Sequence, residues 1–98
     1  MDKSIRIIGL GESFPLGQTV ATPHALRHLT HDDILSALKR HAAGDWGDLD
    51  DYDRQANDRA LRHGGRLFSA HHAADGVKIW IITEADRSSS CVLLPVDY

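Results

Sequence analysis

The hydrophobic periods along this chain predict an α+β fold, with two or three helices packed on a three-stranded antiparallel β-meander. Three observations predict it. Apolar residues recur at helical spacing up to His63, and the glycine pair Gly64-Gly65 then closes that half. From Leu67 onward the period falls to two, and an Asp75-Gly76 turn separates two alternating runs. The whole chain has 98 residues, 42% of them apolar and 26% charged, which suits one globular domain with a single core.

Residues 1–13 read as an N-terminal extension, and residues 14–98 as the domain itself. Ser4-Ile5-Arg6-Ile7-Ile8 alternates well enough for a short strand, or it is a loose arm. Gly9, Gly11, Pro15 and Gly17 then interrupt regular structure. Thr22-Pro23 starts a first helix, with a hydroxyl at the N-cap and proline at the first helical position. Thr30-x-x-Asp33 forms a capping box for a second, whose inner face is read as Ile34, Leu35, Leu38 and Ala42. Gly44 stops it. Asp48 is read as the cap of a third helix with an inner stripe of Leu49, Tyr52, Ala56, Ala60 and His63, and with Asp50 and Asp51 in its first turn.

Strands are expected over residues 67–73, 77–84 and 90–94. In the central one, Val77, Ile79, Ile81 and Thr83 point one way and Lys78, Trp80, Ile82 and Glu84 the other. Both sets hold large apolar groups, so this strand belongs inside the sheet. Pro95 ends the last strand, as an edge strand permits.

Composition excludes several functions. The net charge is −3, and residues 31–58 concentrate the acid, with eight Asp against Lys39, Arg40 and Arg54. A domain gripping phosphates is normally basic, so direct nucleic-acid binding is not expected. No apolar run approaches the ~20 residues of a membrane span, and no signal-peptide pattern precedes the domain. The lone Cys91 suits a reducing compartment. A cytoplasmic protein is the expectation, with its oligomeric state open.

No phosphate-cradling glycine loop, nucleophile elbow or Cys-x-x-Cys occurs, so no catalytic residue, cofactor or metal is assigned. Seven histidines invite a metal reading, and His24 and His28 stand four apart, but no third ligand is placed beside them. His71 and His72 point to opposite faces of a strand. Two surface candidates remain. The first is an acidic stretch with interleaved aromatics, comprising Asp45, Trp46, Asp48, Asp50, Asp51 and Tyr52. It reads as a protein-contact patch for a basic partner surface, such as that of a nucleoprotein effector. The second is the polar cluster Glu84, Asp86 and Arg87, which an RNase-like site would combine with His71. The order of elements also resembles that of ribosome-dependent mRNA interferase toxins, although those are strongly basic and this chain is not.

Four segments resemble one family. They are Phe14-Pro15-Leu16-Gly17 through Val20-Ala21-Thr22-Pro23; Arg40-His41-x-x-Gly44-Asp45-Trp46-Gly47; Asp75-Gly76-x-Lys78 through Ser88; and Leu93-Leu94-Pro95-x-x-Tyr98. The family comprises small proteobacterial proteins of plasmids and integrated elements, labelled "plasmid-related protein" or, automatically, "type I restriction endonuclease subunit M". A chain of this length without a cofactor loop cannot house a methyltransferase. What the resemblance implies is a mobile-element setting. In that setting the chain is expected to act as a non-enzymatic, stoichiometric protein binder, such as a host-defence antagonist directed at CRISPR or restriction systems. The alternatives are an RNase- or toxin-like enzyme and a nucleic-acid-associated accessory regulator.

Overall fold

The computed structural model describes residues 13–98. The expected strand at residues 4–8 lies outside them. The chain runs β1 (Gln18–Ala21), α1 (Pro23–His28), α2 (His31–Ala42), α3 (Asp51–His63), β2 (Leu67–His72), β3 (Lys78–Thr83) and β4 (Ser89–Leu93), then a 3-10 turn at Pro95–Asp97. The class is α+β, as the sequence predicts. Among the described residues no helix is long and apolar enough to cross a membrane.

The sheet has four strands in the order β1-β4-β3-β2. The meander is there, with Phe68 opposite Ile82 and Trp80 opposite Leu93. The fourth strand corrects the three-stranded expectation. Gln18–Ala21, inside a stretch read as irregular, pairs in parallel with β4. Its ladder begins where Gln18 N–H meets Ser88 O (2.9 Å) and ends where Thr22 N–H meets Val92 O (3.0 Å). Thr19 and Val20 favour a strand, but four residues between Gly17 and Pro23 do not hold one unaided, so the free side of β4 supplies the ladder. β4 is therefore an inner strand, and Pro95 opens the 3-10 turn rather than ending an edge.

Thr22 and Thr30 cap α1 and α2 as expected, the latter through a capping box with Asp33. α3 starts from Asp50, not Asp48, and Asp50 accepts the Asp53 N–H at 2.8 Å. The inward faces also differ in detail. α2 buries Ala37, Leu38, His41 and Ala42 while Leu35 is exposed, and α3 buries Asn57 while Tyr52 is exposed. Helices cover one face of the sheet, where Ile79, Ile81 and Val92 meet Ala25, Leu29, Ala37 and Leu38. A second cluster, of Phe14, Trp46, Leu49 and Leu67, closes the β2 side.

The outer edge of β2 is closed twice. Gly47 forms a parallel bridge to Ala70, with Ala70 N–H donating to Trp46 O and Asp48 N–H donating to Ala70 O. Nearly two turns into α3, the Asn57 side chain acts as a surrogate strand. Its amide donates to Phe68 O (2.6 Å) and its carbonyl accepts Phe68 N–H (3.0 Å). Open edges template aggregation, and this clamp occupies one. Asn57→Ala is expected to cost about 2 kcal/mol, because two backbone groups lose their partners. Urea unfolding checks it, and a loss under 0.5 kcal/mol would show the clamp to be incidental.

Candidate functional site

The acidic, aromatic patch does not assemble as a surface. Trp46 is only 4% exposed, packed against Phe14 (6.1 Å between ring centroids) with its indole N–H on Asp58 (3.3 Å). It is a core residue, not a surface anchor. The carboxylates have local duties. Asp45 binds Arg40 (2.7 Å), which holds its carboxyl below the usual range. Asp48 meets His72 (2.7 Å), Asp50 caps α3, and Asp51 lies 3.4 Å from Arg54. Tyr52 stands alone in solvent, 74% exposed.

The Glu84, Asp86, Arg87 cluster holds backbone. Arg87 adopts φ 62°, and its guanidinium donates to the carbonyls of Ala60, Gly65, Glu84 and Ala85 at 2.7–3.1 Å. It thereby adds a second donor to Ala60 O, which already accepts the Gly64 N–H, and ties the end of α3 to the β3–β4 turn. Asp86 accepts Ser88 N–H (2.9 Å), and Glu84 pairs with Arg66 (3.2 Å). His71 cannot join them. It pairs with Ile79, five residues before Glu84, so the two sites lie at opposite ends of β3, roughly 17 Å apart by strand rise. His71 also faces the helices, whereas Glu84 continues the other face. His24 directs Nδ1 to Asp97 (2.7 Å) rather than toward His28. Among the described residues no three His, Cys, Asp or Glu side chains converge as a metal site.

Sequence reasoning missed two features. The first is a buried chain of polar side chains beneath the helices. Ser90 Oγ donates to Leu16 O (2.8 Å), so Thr83 must donate to Ser90 (2.6 Å). His41 Nε2–H then donates to Thr83 (2.8 Å), and Ser69 donates to His41 Nδ1 (2.6 Å). His71 Nε2–H completes the series on Ser69 (2.9 Å), leaving His71 Nδ1 bare. One main-chain carbonyl thus fixes the tautomer of both histidines. Burial pushes the His41 pKa down to about 3, and the His71 pKa is also lowered, chiefly by burial and then by the Arg40 charge. Solvent does not reach His41 or Ser69, so the chain organises the core. His41 stands three residues after Leu38, inside the apolar stripe of α2, and that spacing was the available signal.

The second feature is the sheet face that α1 and α2 leave uncovered. Even-numbered residues of β2 and β3 build it, with Phe68 beside Ile82, Ala70 beside Trp80, and His72 beside Lys78. Cys91 and Leu93 extend it across β4. Phe68 meets Trp80 edge-to-face (5.1 Å), and Tyr98 meets Trp80 in turn (5.9 Å). Two clefts of about 270 Å³ flank this aromatic ridge. One is walled by Phe68, Trp80, Ile82 and Tyr98 with Arg66 at its lip, and the other by Leu49, Phe68 and Trp80 with Lys78 and Asp48. The alternation of Trp80 and Ile82 with Ile79 and Ile81 announces a second apolar face. What it does not announce is that α1 and α2 settle on the first and α3 beside the β2 edge.

No family model matches the chain, and no curated protein or solved structure matches it.

Proposed function

We propose that this protein acts by stoichiometric, non-catalytic binding of a protein partner, and that its working surface is the open sheet face. The carrying observation is the ridge of Phe68, Trp80 and Tyr98 with Arg66 at its lip. Tryptophan, tyrosine and arginine dominate binding hot spots, most of all where they line a desolvated cleft. A protein partner is favoured over nucleic acid by the surroundings. Asp48 lines the second cleft, and Asp50, Asp51 and Asp53 start the adjoining helix, so a phosphate backbone would run beside carboxylates.

The resemblance carried by Lys78 through Ser88 supports a mobile-element setting, in which the partner is a host-defence effector of the CRISPR or restriction type. This relocates the contact from residues 45–52 to the sheet. The test is protection of incoming plasmid DNA in a host with an active defence system. Wild type is expected to restore transformation. Trp80→Ala and Tyr98→Ala should reduce protection at least tenfold, while Tyr52→Ala leaves it intact. Tyr98 is 76% exposed, so its removal does not unfold the domain. Full protection by both variants would take the sheet face out of the mechanism.

A further inference from the structure

Resting on the reading of the open face as the docking surface, we infer that its occupant is a peptide segment of the partner with an apolar centre and a carboxylate toward each end. The inference comes from how charge is spent across the face. Its two carboxylates are already engaged, Glu84 with Arg66 and Asp48 with His72. Its cations are not used up. Arg66 commits one nitrogen to Glu84 and keeps donors of its five-N–H fork unspent. Lys78 makes no ion pair among the described residues and is exposed. Arg66, and not Glu84, is among the residues that line the first cleft.

The geometry sets the pattern. Lys78 pairs with His72, six residues along the strand from Arg66, so the two cations lie roughly 20 Å apart with the apolar ridge between them. A segment crossing the face seats one apolar side chain on each side of Trp80 and brings its carboxylates to Arg66 and Lys78. Charge-assisted bonds to an arginine fork fix register as well as adding affinity. A uniformly basic chain is repelled by Arg66 and Lys78, and a phosphate-rich one by Asp48 at the second cleft.

Selection of a random twelve-residue displayed peptide library against the full chain tests this, with a twelve-nucleotide oligouridine as the competing ligand. Cys91, the one cysteine, lies on the same face beside Ile82 and reports occupancy through its rate of thiol modification. Enriched peptides are expected to carry an apolar centre and net negative charge, to slow Cys91 modification, and to bind Lys78→Glu at least tenfold more weakly. Arg66→Glu with Lys78→Glu should instead enrich peptides with basic flanks. Neutral or basic winners that still protect Cys91 and lose affinity in Tyr98→Ala would overturn the charge assignment while leaving the docking face standing. Winners that ignore Tyr98→Ala and leave Cys91 reactive would sink both. Tighter binding of oligouridine, with Cys91 protected, would replace the peptide by single-stranded nucleic acid.

Discussion

Replacing His41 by alanine is expected to cost about 4 kcal/mol and to lower the melting temperature by roughly 20 °C. The ring is fully buried and packed edge-on against Phe14 (5.3 Å) and Trp46 (5.6 Å), so its removal opens a cavity in the join between the two core clusters. It also strips Ser69 of the acceptor for its hydroxyl and Thr83 of a donor, deep under the helices. A stability on the order of 5–15 kcal/mol leaves little margin after such a loss. Differential scanning calorimetry reads it directly, and a shift under 5 °C would mean that the polar chain contributes nothing net.

The same residue makes the fold acid-sensitive well above the carboxylate range. His41 holds its proton only below about pH 3 in the folded protein but near pH 6.5 when unfolded. Full stability is therefore present above about pH 6.5. Below that the unfolded chain binds the additional proton, and stability falls as pH drops, by about 2 kcal/mol at pH 5 from this one group. His71 shifts in the same direction, chiefly through burial, with Arg40 and His72 also disfavouring its charge and Asp45 and Asp48 favouring it. His41→Gln keeps a neutral polar side chain without titrating, so its urea midpoint should vary less between pH 7 and 5. A slope identical to wild type would place the proton uptake elsewhere.

Gly47→Ala is the second large effect, at about 3 kcal/mol. Gly47 sits at φ +73°, where a Cβ costs roughly 1–2 kcal/mol by itself. That Cβ would also run into Ala70 O and lie against His71 Nδ1, so the Gly47–Ala70 bridge must part. Parting it removes the two backbone bonds that close the β2 edge, worth about 1 kcal/mol each. Gly76 provides the control, being at φ +93° with open space around it. Gly76→Ala carries the backbone strain alone, near 1 kcal/mol. Equal losses at the two glycines, measured by chemical unfolding, would show that crowding at Ala70 is not the cause.

Local chemistry was legible wherever a short stretch determined its own structure. The Thr22-Pro23 and Thr30–Asp33 caps, the Gly64-Gly65 break and the Asp75-Gly76 turn rest on nearest-neighbour hydrogen bonds and φ preferences. So does the two-faced alternation of Lys78–Glu84. Trp46 and Tyr52 mark where that legibility ends. Both are aromatics among aspartates, yet one is buried against Phe14, thirty-two residues earlier, and the other is in water. A helix-propensity argument cannot see Phe14. Arg87 is a similar case: a salt bridge suits its neighbours in sequence, but four carbonyls from three segments claim it.

By itself, then, the sequence determined the α+β class, the starts of the first two helices, the meander and its register parity, because each follows from interactions spanning a few residues. Only the tertiary structure decided the fourth strand, which exists because β4 offers it a ladder. It also decided that His41 and His71 are core groups with fixed tautomers, since Leu16 O orients a chain drawn from both halves of the molecule. And it decided which apolar sheet face stays open. α1 and α2 bury one face of this sheet while α3 closes its edge, and the rings left over on the other face are the surface from which we read its function.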